Sequence, residues 1–304
     1  MRKQKLETGL DIACCTDPGR VRGHNEDACA LPPPWADPGS LGTLLVVADG
    51  VGGVPGGAEA SRDAVAYLQA LYYAPTGPET PAERLNQAVQ TVNTLNRRSP
   101  DRREDNERMT TLVAAVVRED ELWVANVGDS RAYLCSAGAQ PRRQLTQDHT
   151  GSQGHSITQA IGLGDECQVD LYRYAWAPGD TLVLCSDGLA ALPAQEMSGL
   201  AVSLAAADAA AALVHRANTL DGSDNATAIV ARRGSHPGRK RRAASTRSPR
   251  PGARDTLPAR VGPEPSDRPR GRLGLGLILG LLLGWLTAAL LIYAAVTGIT
   301  IPGF

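Results

Sequence analysis

The amino-acid sequence predicts an α+β fold with antiparallel sheets, followed by one transmembrane helix near the C-terminus. Short apolar runs follow one another at the spacing of hairpins, which is typical of antiparallel strands. Helical periodicity is confined to a few segments between these runs, without the regular strand–helix alternation of a parallel sheet. Residues 273–296 carry no charge, and these 24 residues are enough to cross the ~30 Å hydrocarbon core of a bilayer.

The individual elements follow from the same pattern in chain order. Strands are predicted over residues 10–15, 27–31, 44–48, 111–117, 122–127, 131–135, 168–174, 181–185 and 226–231. Helices are predicted over residues 58–73, 82–96 and 203–219, where apolar side chains recur every three or four positions. The highly charged segment 97–108 is expected to be a surface loop.

Composition and charge divide the chain into parts. It has 304 residues, 42% of them hydrophobic and 21% charged, which suits one or two globular domains. Residues 1–231 carry 18 Lys/Arg and 29 Asp/Glu, a net charge of −11, which argues against a nucleic-acid-binding core. Residues 232–272 carry 13 Lys/Arg and 3 Asp/Glu, a net charge of +10, and are rich in Pro, Gly, Ser and Arg. We therefore expect a globular domain over 1–231, a disordered basic linker over 232–272, the membrane helix over 273–296 and a short tail over 297–304.

One strand forms the centre of the functional prediction. The apolar run over residues 44–48 ends at Asp49 and is followed by Gly50, Val51 and two further glycines. A carboxylate at the end of a buried strand is held rigidly, and the glycines let backbone carbonyls approach a ligand closely. Oxygen ligands of this kind are what Mg²⁺ and Mn²⁺ prefer.

The same pattern recurs at three other aspartates. Asp129, Asp187 and Asp224 each stand at a strand end or in a tight Gly/Ser turn, and an N-terminal loop adds Arg22, Glu26 and Asp27. Clustered carboxylates repel one another unless cations neutralise them. Two divalent ions sharing a hydroxide, with an arginine to orient an anionic substrate, would hydrolyse phosphate esters without a covalent intermediate.

The cysteines allow a second kind of phosphatase chemistry. Cys14 and Arg20 have the Cys-x5-Arg spacing of enzymes that attack phosphorus with a thiolate. Asp17 and Pro18 disfavour this interpretation, because one adds negative charge to the loop and the other removes an amide donor. The six cysteines lack any C-x-x-C pair and are expected to be reduced, and several stand in apolar runs.

Seven motifs along residues 10–231 carry a resemblance to a known family. They are Gly19-x-x-Arg22-x-x-Asn25-Glu26-Asp27, Val47-Ala48-Asp49-Gly50-x-Gly52-Gly53, Thr110-Thr111-Leu112-Val113-Ala114, Ala125-Asn126-Val127-Gly128-Asp129-Ser130-Arg131-Ala132-Tyr133, Leu145-Thr146-x-Asp148-His149, Cys185-Ser186-Asp187-Gly188-Leu189 and Asp224-Asn225-x-Thr227. With these motifs the chain resembles a bacterial type 2C protein phosphatase, of the metal-dependent (PPM) Ser/Thr phosphatase family.

The resemblance implies a fold and a set of site residues. The family fold is a β-sandwich of two antiparallel sheets flanked by α-helices, in four αββα layers. By comparison with the family, two Mn²⁺ or Mg²⁺ ions would be held by Asp49 as the bridging ligand, the Gly50 carbonyl, Asp187 and Asp224, with Glu26 and Asp27 acting largely through water. Arg22 would bind the substrate phosphate, and Asp129 would hold a weak third ion.

The sequence departs from the family pattern in three places. Val51 stands where some members carry a histidine proposed as the general acid, so that a water or His24 would donate the proton instead. Ala191 occupies a place where relatives often have a carboxylate that supports the third ion. Only residues 150–156 separate the Asp148-His149 motif from the next family segment, which predicts a short flap and an open site.

The resemblance also implies partners and a location. The substrates would be phosphoproteins made by a bacterial Ser/Thr kinase. The basic linker predicts that the catalytic domain stays in the cytoplasm of a bacterium, with the chain anchored in the plasma membrane and residues 297–304 on the far side. Gly276, Gly280 and Gly284 have the spacing of a helix face that packs closely, which allows a homodimer. The alternative function is a non-catalytic, metal-binding sensor.

Overall fold

A computed structural model describes residues 2–5, 9–36, 39, 41–52, 56–78, 80–99, 108–136, 142–151 and 156–233, with the side chains of residues 2–5 excepted. The predicted linker beyond Arg233, the span over 273–296 with its three glycines, and the tail lie outside these residues. Within them, no helix has the length and apolar character needed to cross a membrane.

Two antiparallel sheets make up the centre of the described part of the chain. The strands are β1 (Arg2–Lys5), β2 (Leu10–Asp17), β3 (Asp27–Ala30), β4 (Thr43–Asp49), β5 (Leu112–Arg118), β6 (Glu121–Val127), β7 (Arg131–Cys135), β8 (Arg142–Gln144), β9 (Asp170–Ala175), β10 (Thr181–Cys185) and β11 (Ala226–Arg233). The first sheet has the order β1-β2-β11-β10-β7-β8, and the second has the order β3-β4-β5-β6-β9. Every pairing between these strands is antiparallel.

The helices lie on the outer faces of the two sheets. They are α1 (Gly57–Tyr72), α2 (Pro81–Arg97), α3 (Ala194–Ser203) and α4 (Ala206–Leu220), with a 3-10 turn over Asp187–Leu189. Helices α1 and α2 pack on the second sheet, and α3 and α4 pack on the first sheet. The predicted α+β fold, with two antiparallel sheets flanked by helices, is confirmed.

The central apolar run is explained by this layering. Leu45 and Val47 of β4 point into the core between the sheets, where they join Ile12 and Ile229 of the first sheet. Alternate residues of the same strand point the other way, into the core beneath α1 and α2. Because both faces of β4 are buried, the strand is apolar at successive positions instead of alternating between apolar and polar residues.

The elements that the sequence did not predict are short or polar. Strands β1 and β8 have the sequences Arg-Lys-Gln-Lys and Arg-Arg-Gln, and they form by backbone pairing at the two edges of the first sheet. Helix α3 was not predicted because Ser198 and Gly199 interrupt its apolar pattern. The predicted helix over 203–219 is α4, which begins at Ala206 after an extended Leu204.

The prediction of a surface loop over residues 97–108 is wrong at Arg108, while residues 100–107 lie outside the described part of the chain. Arg108 is only 1% exposed and forms an ion pair with Asp63 of α1. Its backbone has a positive φ of 43°, a region that few non-glycine residues adopt. The C-terminal end of this segment is therefore packed against α1, because the ion pair allows the arginine to be buried.

Candidate active site

The predicted acidic residues meet at one end of the sandwich. Asp49 is the last residue of β4 and pairs in register with Asp27, the first residue of β3. Asp129 and Asp187 lie just after β6 and β10, and Asp224 lies just before β11. Antiparallel neighbours bring these ends together, and the other four carboxylates all act electrostatically on Asp49.

Asp27 and Asp49 form the buried centre of this cluster. The two residues are register partners in the second sheet, and among the surrounding charges those of Asp27 and then Asp187 act most strongly on Asp49. The Ser186 hydroxyl donates to Asp27 Oδ2 at 2.8 Å and accepts from the Thr227 amide at 3.0 Å. The second oxygen, Asp27 Oδ1, is buried and has no hydrogen-bond partner among the described residues. It is therefore a buried acceptor without a donor.

The environment favours the protonated form of these carboxyl groups. Burial raises the pKa of Asp27 to about 6, and it raises the pKa of Asp129 to about 6 as well, with a further contribution from the charge of Asp187. The pKa of Asp49 is well above its usual range, first because of burial and then because of the surrounding carboxylates. Burial and the charge of Asp224 raise the pKa of Asp187. Negative charge on these acids is therefore costly in the protein alone, and a bound cation would offset that cost.

The donor set fits a hard divalent cation, although no closed coordination shell is present. Across the described residues, no three histidine, cysteine, aspartate or glutamate side chains form a group that could hold a metal ion. The acids lie instead as electrostatic neighbours around Asp49. The atoms that these acids offer to a metal ion are all oxygens, which are the ligands that Mg²⁺ and Mn²⁺ prefer. One of them, Asp27 Oδ1, is buried without a hydrogen-bond partner.

Glycine allows the backbone segments of the site to lie in contact. A Cβ atom on Gly50 would lie 2.4 Å from the carbonyl carbon and oxygen of Gly57, at the start of α1. The Gly50 amide donates to the Glu26 carbonyl at 3.1 Å, and the Ser61 hydroxyl donates to the same carbonyl at 2.5 Å. The end of β4, the start of α1 and the segment before β3 are therefore packed together, which places Glu26 beside Asp49.

The loop that carries Arg22, residues 18–24, is held by one side chain. The Asn225 amide nitrogen donates to the carbonyls of Pro18 and His24 at 2.9 and 3.0 Å, so it holds both ends of the loop. The Asn225 amide oxygen accepts from the Glu26 amide at 2.8 Å. At Gly19, φ is +79° and a Cβ would lie 2.3 Å from the Asp224 carbonyl oxygen. The loop is thereby fixed to the segment that carries Asp224.

Arg22 lies at the rim of the acidic cluster. Its Nη2 donates to Asp224 Oδ2 at 2.7 Å, with the two side chains 42% and 39% exposed. A Cβ on Gly52 would lie 3.0 Å from Arg22 Nη1 and 3.6 Å from Glu26 Oε2. The hydrogen bond with Asp224 raises the pKa of the guanidinium, which stays charged. A planar cation at the rim suits an anion that reaches the cluster from solvent.

Asp129 lies in a turn that is fixed from the side of β5. The Ser130 and Thr111 hydroxyls are 2.7 Å apart, and Thr111 Oγ1 accepts from the Asp49 amide at 3.0 Å. The two hydroxyl groups thus connect the turn that carries Asp129, the predicted ligand of the third ion, to the backbone of Asp49, the predicted bridging ligand. Ala191 follows the 3-10 turn, is exposed and offers no side-chain oxygen.

The thiol-based alternative is not supported by the structure. Cys14 lies within β2, where it pairs with Ile229, and its side chain is 3% exposed in the core between the sheets. It is not in a loop with amides available to bind an anion. Burial also raises the pKa values of the Cys135, Cys167 and Cys185 thiols.

Sequence reasoning identified the acids and the arginine but missed the groups that hold them. Ser186 and Thr111 stand within the matched motifs, next to Asp187 and at the start of β5, and their hydroxyl groups bond to partners that are distant in the sequence. Only the pairing of the strands reveals those partners. The signal available in the sequence was a hydroxyl residue immediately before or after a buried strand.

Comparison with known proteins assigns the family. A family model described as Protein phosphatase 2C matches residues 20–229. The chain belongs to this family and is a protein phosphatase of the bacterial Ser/Thr type. The family is metal-dependent, generally with Mn²⁺ or Mg²⁺.

Its relatives are bacterial enzymes of the same kind. The serine/threonine phosphatase stp of Listeria innocua is 31% identical over 242 residues, covering 72% of this chain and 94% of the relative. The serine/threonine protein phosphatase PstP of Mycobacterium tuberculosis is 30% identical over 242 residues, covering 73% of this chain and 45% of the relative. Among solved structures, Stp1 of Staphylococcus aureus has a TM-score of 0.65 at 28% identity, covering 76% of this chain and 98% of that chain. PppA, described as a key regulatory component of T6SS in Pseudomonas aeruginosa, has a TM-score of 0.63 at 27% identity, covering 73% of this chain and 97% of that chain.

Proposed function

We propose that this protein hydrolyses phosphoserine and phosphothreonine in proteins with the help of two divalent cations, Mn²⁺ or Mg²⁺. The observation that carries the proposal is the buried cluster of carboxyl groups at the ends of β3, β4, β10 and β11. Burial and repulsion between carboxylates raise the pKa values of Asp27, Asp49 and Asp187, which is the electrostatic problem that cations solve. The names of the relatives support phosphoproteins as the substrate class.

The ion-binding residues are assigned from their positions in the cluster. Asp49 lies at the centre, because it is the register partner of Asp27 and the other four aspartates all act on it electrostatically, so it is the residue best placed to serve two ions. The remaining ligands would be the Gly50 carbonyl, Asp187 and Asp224, with Glu26 and Asp27 assisting through water and Asp129 holding a weak third ion. When bound, the ions would supply Lewis-acid stabilisation of the phosphoryl oxygens and a water of lowered pKa.

Arg22 would bind and orient the substrate phosphate. The ion pair with Asp224 holds the guanidinium at the rim, and the fixed ends of residues 18–24 limit how far the loop can move. Because Val51 replaces the histidine of some relatives, the leaving alkoxide would take its proton from water or from the exposed His24.

The test measures phosphate release from a phosphothreonine peptide by the full chain in detergent. We expect activity that requires Mn²⁺ or Mg²⁺ and is lost in excess chelator. Asp49→Asn and Asp187→Asn should each lower kcat at least about a thousandfold, since each removes a charged ligand. The matched control is Cys14→Ala, which removes the thiol of the rejected mechanism and should retain activity.

Two outcomes would contradict the proposal. Full activity in chelator, or loss of activity only in the cysteine variant, would exclude the two-cation mechanism. Binding of Mn²⁺ without turnover of any phosphopeptide would instead support the non-catalytic sensor.

We also propose that residues 273–296 anchor the protein in the bacterial plasma membrane, with the phosphatase domain in the cytoplasm. The support is the uncharged span, preceded by a basic segment that should remain on the cytoplasmic side. Cytoplasmic placement would give the site access to proteins phosphorylated by a Ser/Thr kinase. The helix face with Gly276, Gly280 and Gly284 would allow two copies to associate.

A further inference from the structure

The turn before Asp129 is held by a histidine that the proposed reaction does not use. The Gly128 amide donates to His149 Nδ1 at 3.2 Å. The Gly128 carbonyl accepts from the His149 amide at 3.0 Å and from the Asn126 side chain at 3.2 Å. His149 therefore holds both polar groups of the residue immediately before Asp129, one with its ring and one with its backbone.

The turn is confined on its other side as well. Gly128 has a φ of +101°, and a Cβ at this position would lie 2.8 Å from the Thr111 side chain. Thr111 in turn is linked to Ser130 and to the Asp49 amide. The direction of Asp129 is thus fixed by two contacts, one from β5 and one from His149.

A buried acid lies beside the other nitrogen of the histidine ring. His149 is 7% exposed, and its Nε2 lies 3.2 Å from Asp170 Oδ2, whose residue is 2% exposed. Nε2 makes no hydrogen bond with the described residues, so Nδ1 is the ring atom that holds a partner by a hydrogen bond. The Tyr172 hydroxyl donates to the same oxygen of Asp170 at 3.0 Å. The ring that receives the Gly128 amide is thus buried beside a polar pair formed by Tyr172 and Asp170.

We propose that His149 is a positioning residue for Asp129. Its Nδ1 atom holds the Gly128 amide, and with it the carboxylate that follows, in the place required for the weak third cation. The inference rests on the proposed function for the role of that cation. The positioning contact itself is a property of the protein without metal.

The hydrogen bond to Nδ1 can be separated from the rest of the ring by two amide substitutions. In His149→Asn the amide oxygen stands close to the position of Nδ1 and can accept from Gly128. In His149→Gln the longer side chain places its amide near the position of Nε2 and leaves the Gly128 amide without its acceptor. Both variants keep a polar group of similar size, so a general loss of polarity does not distinguish them.

The first measurement is hydrogen exchange of the metal-free full chain, followed on peptides that contain residues 127–131. We expect His149→Gln to accelerate exchange at this segment about tenfold, and His149→Asn to stay within about threefold of the wild type, because one hydrogen bond is lost in the first variant and retained in the second. Equal exchange in the two variants would overturn the role of Nδ1.

The second measurement is binding of Mn²⁺, followed by the electron paramagnetic resonance of the free ion. His149→Gln should weaken the weakest class of Mn²⁺ sites about tenfold and leave the tighter class unchanged, while His149→Asn should bind like the wild type. In an Asp129→Asn background the histidine substitutions should have no further effect, because the ligand that they position is gone.

The outcomes separate the two proposals. If the wild type shows no weak class of Mn²⁺ sites, the third cation is excluded, and the assigned role of His149 is overturned with it. If the weak class is present and His149→Gln leaves its affinity unchanged, the third cation is retained and the positioning role is overturned. The same conclusion follows if His149→Gln weakens the tight class equally in the wild-type and Asp129→Asn backgrounds.

Discussion

At the scale of single residues, burial rather than neighbouring charge is the first cause of the raised carboxyl pKa values. Asp129 shows the consequence for stability. Its pKa is about 6 in the folded protein against an ordinary value of 3.8, so the folded state holds the proton more tightly than the unfolded state. The stabilisation from this proton is complete below the ordinary pKa and is lost as the pH rises through about 6.

Asp129→Asn should therefore flatten the pH dependence of the unfolding free energy in metal-free protein. Above pH 7 the wild type must hold an ionised Asp129 that the fold disfavours, whereas asparagine is neutral, so the variant should have the higher free energy of unfolding. The difference should not exceed roughly 3 kcal/mol, which corresponds to about two pKa units. Urea unfolding between pH 4 and 8 measures the effect. Asp165→Asn, at a carboxylate that is 92% exposed, is the control. Identical slopes for Asp129→Asn and wild type would show that Asp129 carries no such proton.

At the scale of elements, glycine determines how closely the segments of the site approach. A Cβ on Gly188, after β10, would lie 2.0 Å from the Asn225 carbonyl oxygen before β11. That oxygen is backbone and cannot move away without shifting the strand. Gly199 lies within α3 and has no atom within 4 Å of its added Cβ.

These two glycines form a matched pair for an experiment. Gly188→Ala should lower the free energy of unfolding by about 1–3 kcal/mol through overpacking and should reduce turnover. Gly199→Ala should raise it by about 0.5–1 kcal/mol, because alanine is the better helix former. Thermal unfolding of the two variants beside the wild type measures whether each substitution lowers or raises the stability as expected. A stabilised Gly188→Ala variant would mean that the two strand ends are not in contact.

The strands also show which features of the fold could be predicted from the sequence. Strands β7 and β10 have the predicted bounds because they are buried runs of apolar residues between polar turns. The edge strands β1 and β8 carry no apolar signal, since their stability comes from backbone pairing with a neighbour. The acids of the site were predictable because they end strands. The contact of Ser186 with Asp27 was not, because it depends on how the two sheets face each other.

At the scale of the whole molecule, the proposed topology predicts the side on which each terminus lies. A reporter that is active only outside the cytoplasm, fused after Phe304, should be active. The same reporter fused after Arg233, without the uncharged span, should be inactive. Activity in the reverse pattern would contradict the anchored cytoplasmic phosphatase and would separate the site from substrates made by ATP-dependent kinases.

The close glycine contacts have a thermodynamic consequence for cation binding. In a zinc finger the chain folds only when the metal arrives, so much of the intrinsic binding free energy is consumed in ordering the backbone. Here Gly19, Gly50 and Gly188 hold the ligand-bearing segments against one another through contacts between protein atoms alone. The conformational entropy of these segments is lost on folding, before any ion binds. The backbone of the site is preorganised, so removing the ions should leave a folded protein that can be reloaded.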